Sequence, residues 1–293
     1  MYNNTGQNEF IECLSNKENE CNEEYMIKVI AEIGWNHMGD MDLAEKMIIS
    51  AAECGVDYCK FQTWSESNLK DGAWDGDGRR EIYKKAQLSQ EEHFFLQRVC
   101  DENSVKFMTS IFNISDLDFL KNMNMDVIKI PSHEVNNIEL IKATLKEIDT
   151  VLVSTGASKW SEVNKIMNIS DKNRLVLMHC VSSYPCPPEK VNLPRIKKLK
   201  EISGNNVGYS GHYFGISDAI AAICHGVTIV EKHFTVDHEL PGRDNKFAIL
   251  PDKMAALCNF RDTYEKMNTD LGLDLQECEM DTFENYRGRW SKS

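Results

Sequence analysis

Eight short runs of β-branched and apolar residues, separated by amphipathic stretches, set the strongest limit on how this chain can fold. They read MIKVIAEIG (26–34), VDYCKFQT (56–63), SVKFMTS (104–110), DVIKI (126–130), TVLVST (150–155), RLVLMHC (174–180), NVGYS (206–210) and VTIVEKHF (227–234). Strands covered by helices on both sides are near-continuously apolar, which is how these runs read. The stretches between them carry helix signals. Ser89 and Glu92 make a capping-box pattern before HFFLQRVC, and Ser217 opens DAIAAIC. Leu43, Met47, Ile48 and Ala51 fall on one helical face, which Gly55 is placed to end. Eight βα units in succession predict a single closed (β/α)8 TIM barrel over residues 27–262, because an open doubly wound sheet commonly has fewer strands. Residues 1–26 are expected to form an N-terminal tail and 263–293 a helical, acidic C-terminal extension.

A chain of 293 residues has room for two domains, but an α/β barrel of roughly this size is one unit. The composition, 42% hydrophobic and 27% charged, is that of a soluble globular protein. No apolar stretch approaches the ~20 residues that span a bilayer. The first twenty residues are polar and acidic, unlike a secretory signal, so a cytoplasmic location is expected. Ten scattered cysteines without a CxxC pair fit reduced, mostly buried thiols. A net charge of −13 argues against non-specific nucleic-acid binding, for which a basic face is the usual footprint. Any anionic ligand must therefore be held by local positive groups.

Barrel enzymes place their active sites at the C-terminal ends of the strands. Chemically able residues collect there: Glu32; Lys60 and Gln62; Ser110; Lys129, Ser132 and Glu134; Ser154 and Thr155; His179 and Ser182; Ser210 and His212; Glu231 and His233. His212 and His233 end neighbouring strands, and two imidazoles near a carboxylate such as Glu231 or Asp244 suit a divalent ion with positions left for substrate. Lys60 and Lys129, with the strand-end serines, offer the mixture of charge and short donors that a phosphate or carboxylate wants. A lysine at a strand end also suits a Schiff base, so aldolase chemistry stands beside this reading.

The motifs AEIGWNHMGDMDLAEKMI, CGVDYCKFQT, IKIPSHEVNN, VSTGAS, LMHCVSSYP, VGYSGHYFGISDAIAA and EKHFTVDHELPGRD resemble, in order, those of the sialic acid synthase family, over about residues 28–250. The resemblance implies condensation of phosphoenolpyruvate with an N-acylated amino sugar, for surface polysaccharide biosynthesis. It implies a divalent metal on His212 and His233, manganese first, with magnesium, cobalt or zinc as alternatives, and no organic cofactor. It assigns phosphoenolpyruvate to Lys60, Ser110, Lys129, Ser132, Ser154, Ser182 and Ser210, and places Glu134 near the enol carbons. Glu32, Gln62, Tyr184 and Asp244 match positions facing the sugar. The family is usually dimeric, so a homodimer is expected. It usually carries an antifreeze-like domain after the barrel, whereas this sequence stops at NYRGRWSKS. The loop TWSESNLKDGAWDGDGRR matches the family poorly, and such a loop over a barrel mouth often sets substrate choice. A non-catalytic sugar-binding barrel is the third reading, opposed by the intact set of Glu32, Lys60, Lys129, Glu134, His212 and His233.

Overall fold

Side chains alternate faces along a strand, so each of the eight runs must offer one set of residues to the barrel interior and the other to a helix layer. The computed structural model of the protein, which describes residues 26–73, 75–169 and 172–290, has this arrangement. The strands are β1 (Lys28–Glu32), β2 (Tyr58–Thr63), β3 (Lys106–Ile111), β4 (Val127–Ile130), β5 (Thr150–Ser154), β6 (Leu175–Cys180), β7 (Val207–Gly211) and β8 (Ile229–His233). All are parallel, each pairs with its sequence neighbours, and β8 pairs with β1 to close the barrel. The fold is a single (β/α)8 TIM barrel.

The helices are α1 (Met41–Glu53), α2 (Arg79–Ala86), α3 (Gln90–Glu102), α4 (Leu117–Leu120), α5 (Ile138–Glu147), α6 (Trp160–Ile166), α7 (Pro194–Ser203), α8 (Ser217–Cys224), α9 (Pro251–Met267) and α10 (Met280–Asn285). In α1, Ala44, Met47, Ile48 and Ala51 are buried against the barrel, Leu43 is only partly so, and Gly55 follows the end of the helix at φ +86°. The Ser89–Glu92 capping box begins α3 as the spacing predicts. The start of α8 differs. Its cap position is Ile216 and no side chain caps it, so Ser217 is the first helical residue rather than the cap.

Outward strand residues such as Val29, Ala31, Phe61, Ile128, Val153 and Val230 pack against these helices in one continuous core. Inside the barrel a second, smaller cluster forms a floor: Ile30, Tyr58, Met108, Val127, Leu152, Met178 and Ile229. At the N-terminal end, Arg261 of α9 binds Asp57 and donates to the carbonyls of Gly55 (3.0 Å) and Ile27 (3.4 Å). That clasp holds α9 against the barrel through residue 262 and on to Met267. Residues 268–290 are exposed throughout. Of the expected N-terminal tail, all but Met26 lies outside the described residues. No helix among the described residues is long and apolar enough to cross a membrane.

Candidate active site

Two residues along from each floor position, the interior turns polar. Glu32, Lys60, Ser110, Lys129, Ser154, Cys180, Ser210 and Glu231 follow Ile30, Tyr58, Met108, Val127, Leu152, Met178, Gly208 and Ile229 on the same inward faces. All eight are 5% exposed or less. An unpaired charge could not persist there, and these are paired. Lys60 Nζ binds the Glu32 carboxylate, donates to Ser110 Oγ (2.8 Å) and lies 3.7 Å from Glu231. Lys129 Nζ binds Glu231 at 2.5 Å and donates to Ser210 Oγ (3.1 Å), while Ser210 Oγ donates to Glu231 (3.0 Å). Gln62 Nε2 donates to Glu32. Burial would raise the Glu231 carboxyl, but Lys129 and Lys60 outweigh it and hold it down at about 2. Glu32 shares one ammonium rather than two. Burial therefore dominates and raises its carboxyl above the usual range despite Lys60.

Around this layer sit the hydroxyls of the next loops. Ser154 Oγ is buried without a hydrogen-bond partner. The backbone N–H of Gly156 donates to Ser132 Oγ at 3.2 Å. A Cβ on Gly156 would lie 2.4 Å from Ser182 Oγ and 2.7 Å from Ser132 Oγ, so only glycine leaves both hydroxyls their place. Glu134, in the turn after β4, is half-buried and accepts from Asn137 Nδ2 (3.0 Å).

His212 and His233 meet at the mouth with ring centroids 5.4 Å apart. Tyr184 covers His212 at 4.1 Å, and Phe247 flanks His233 at 5.1 Å. His212 Nδ1 lies 2.8 Å from the Val181 carbonyl, a contact that fixes the ring and leaves Nε2 for a metal. His233 Nδ1 is buried without a hydrogen-bond partner, 3.5 Å from Asp244. Burial, and then His212, push His233 well below the ordinary imidazole range, which keeps it in the neutral form a ligand needs. Burial raises the Asp244 carboxyl to about 7, against the pull of the Trp35 N–H. Glu231 is committed to the lysines. Among the described residues no three His, Cys, Asp or Glu side chains come together as a metal cage. The two imidazoles fit a divalent ion that takes its remaining ligands from substrate and water.

Behind the mouth, Lys232 points into the helix layer. It pairs with Asp218 (3.1 Å) and donates to the Tyr213 carbonyl (2.7 Å), while the Tyr209 hydroxyl donates to Asp218 (2.8 Å). This buried network ties down the loop that carries His212. Over β1 and β2 the mouth has an aromatic wall: Tyr83 lies 5.1 Å from Trp35 and 5.6 Å from Trp64, and Trp64 lies 5.8 Å from Phe112.

The NeuB family profile matches residues 47–271. The chain belongs to this family of sialic acid synthases. It is 32% identical over 247 residues to the N,N'-diacetyllegionaminic acid synthase of Campylobacter jejuni, covering 78% of this chain and 74% of that one. It is 35% identical over 246 residues to the N-acetylneuraminate-9-phosphate synthase of Drosophila melanogaster, covering 79% and 66%. The crystal structure of the N-acetylneuraminic acid synthetase from Leptospira borgpetersenii, in complex with citrate, superposes with a TM-score of 0.81 at 30% identity, over 91% of this chain and 93% of that one. Membership makes the protein an enzyme of the transferase class.

The sialic acid synthase motifs thus fall on one surface. Glu32, Lys60, Gln62, Ser110, Lys129, Ser154, Ser210, His212 and His233 converge, with Ser132, Ser182, Tyr184 and Asp244 beside them and Glu134 in the turn after β4. His179, from the same strand end, does not join them. It is fully buried on the helix side, bonded to the Val191 carbonyl at 2.7 Å, and Cys180 takes the inward place. Counting by twos from Met178 would have found Cys180. No comparable signal marked the aromatic wall.

Proposed function

We propose that the protein condenses phosphoenolpyruvate with the open-chain form of an N-acylated amino hexose. The products are a sialic-acid-like 3-deoxy-2-ulosonic acid and inorganic phosphate, for surface polysaccharide biosynthesis in the cytoplasm. The observation that supports this most is the layer of Lys60 and Lys129 with serine hydroxyls, closed below by an apolar floor and capped by His212 and His233.

Lys60 and Lys129 exchange Glu32 and Glu231 for the phosphate and carboxylate of phosphoenolpyruvate. Ser110, Ser132, Ser154, Ser182 and Ser210 donate hydrogen bonds to its oxygens. Glu32, Gln62, Tyr184 and Asp244 hold the sugar so that its aldehyde carbon lies over C3 of the enol. A divalent ion on His212 and His233, manganese by preference, would polarise the aldehyde oxygen. The C3–C1 bond then forms, water adds to C2, and C2–O cleavage leaves the ketone and free phosphate. Glu134, in the turn after β4, takes the proton of that water. The working unit is a homodimer in this reading.

A Schiff-base aldolase needs a neutral amine. Lys60 and Lys129 are each engaged by a buried carboxylate and a serine hydroxyl, so neither Nζ stands free to attack a carbonyl. Phosphate release separates the two chemistries. With phosphoenolpyruvate and Mn²⁺, release is expected only when an acceptor is added, from a panel of N-acetylmannosamine, its 6-phosphate, mannose and 2,4-diacetamido-trideoxyhexoses. EDTA should abolish it. No release with any of these, or borohydride trapping on a lysine with activity indifferent to EDTA, would overturn the synthase reading.

A further inference from the structure

Between β2 and α3, Trp64 and Tyr83 pack on Trp35 at the side of the mouth where β1 and β2 end in Glu32 and Gln62. The segment 64–81 holds five carboxylates against three basic side chains, and both of its arginines are committed. Arg80 binds Glu66 (2.6 Å), Asp71 (2.9 Å) and Asp75 (3.1 Å). Arg79 Nε lies 2.9 Å from Asp77 Oδ2, and the Arg79 backbone N–H donates to Asp77 Oδ1 at 3.2 Å. A second guanidinium reaches the same oxygen from the loop after β8. Arg243 Nη1, next in sequence to Asp244, is 3.4 Å from Asp77 Oδ2.

Asp77 therefore joins two loops that are far apart in sequence and that meet beside the acceptor end of the site. Tyr83 lies among these charges and meets Trp35 in a tilted contact, ring centroids 5.1 Å apart. Half-exposed ion pairs of this kind add little to stability. Their effect is on recognition. Two guanidiniums from opposing loops make an anion niche, the geometry in which arginine binds phosphate. Here the niche is already filled by a carboxylate fixed to the chain, with four more carboxylates nearby in the same loop.

We propose that Asp77 makes this site select an acceptor whose far end carries no phosphate. A phosphorylated sugar would have to compete with the tethered carboxylate for Arg79 and Arg243 while standing among like charges. An uncharged hexose, hydroxylated or deoxygenated at that end, would meet the tyrosine and tryptophan faces and the satisfied ion pairs without competing for either arginine. The proposal rests on the synthase reading above and decides between two acceptor classes whose products occur among the relatives, one phosphorylated and one not.

The test is the ratio of kcat/KM for the best uncharged acceptor to that for N-acetylmannosamine 6-phosphate. It is read by phosphate release at saturating phosphoenolpyruvate and Mn²⁺, in the wild type, Asp77→Ala and the isosteric Asp77→Asn. The wild type should favour the uncharged sugar by about tenfold or more. Both variants should narrow that preference by about tenfold, through a lower KM for the phosphate ester, and added salt should erase the gain. Asp77→Asn keeps the test valid if the alanine variant disturbs the loop. A wild-type preference for the phosphate ester, or an equal change for both acceptors in both variants, would overturn the role of Asp77. Wild-type enzyme that releases phosphate with no acceptor at all would remove the synthase reading, and this proposal with it.

Discussion

Two layers of side chains line the inside of the same barrel, two residues apart on each strand, and they solve opposite problems. The floor of Ile30, Tyr58, Met108, Val127, Leu152, Met178 and Ile229 fills space and shuts the barrel to water from below. The layer above it, from Glu32 to Glu231, keeps four charges and several hydroxyls at the same degree of burial. A floor residue can be treated largely by itself, because dispersion and area add over many weak contacts. In the polar layer each charged group is stable only through the next, since every lysine has a carboxylate and a serine. The floor makes this arrangement stronger, as charges interact more in a space that water does not reach.

The largest effect should come from breaking the polar layer at Lys129, the ammonium held closest to Glu231. Lys129→Met leaves Glu231 with the Ser210 hydroxyl and, as its one ammonium, the more distant Lys60, and the loss of one partner of a buried pair should cost about 4 kcal/mol. Denaturant unfolding measures it, and a loss below about 1 kcal/mol would mean that the layer is not interdependent. Turnover should disappear with it. In the floor, Leu152→Ala should cost about 3 kcal/mol by opening a cavity. The protein that remains folded should keep nearly its full kcat, which steady-state assays corrected for folded fraction would reveal.

Acidity probes the boundary between the barrel and its helices. Burial holds His37 and His179 down at about 4, against about 6.5 when unfolded. Their stabilising effect is complete above pH 6.5 and is lost as pH falls from there through 4, by about 3 kcal/mol each. Unfolding curves between pH 4 and 7 should show this slope, and His179→Gln should remove about half of it; an unchanged slope would place the acid sensitivity elsewhere. The smallest change is expected at Ser154, whose hydroxyl is buried without a partner. Ser154→Ala should alter stability by no more than about 1 kcal/mol while raising the KM for phosphoenolpyruvate. An unaltered KM would take Ser154 out of the phosphate site.

The contrast between the layers explains what could be read from the sequence. All eight strands were visible, because a strand covered on both faces leaves a run of β-branched residues that chance rarely repeats eight times. The strand-end chemistry was visible too, since charged residues interrupt those runs. What was misread is a matter of parity: His179 and Cys180 are adjacent, both at a strand end, and only the alternation measured from Met178 decides which enters the mouth. Glu134 lies beyond the strand, where a 3-10 turn sets direction and no period applies. The clasp of Asp77 by Arg243 joins residues 166 positions apart, and nothing local in either loop announces it.

The alternation of Glu32, Lys60, Glu231 and Lys129 has a kinetic side. Its two positive and two negative charges cancel, so the mouth casts no attractive field into solution, and the whole molecule at −13 is repulsive to anions. A multiply charged anion must find this site by unassisted diffusion and be recognised only on contact, when the lysines trade partners. Its capture should accordingly quicken as ionic strength rises and the general repulsion is screened, the reverse of enzymes that draw their substrates in.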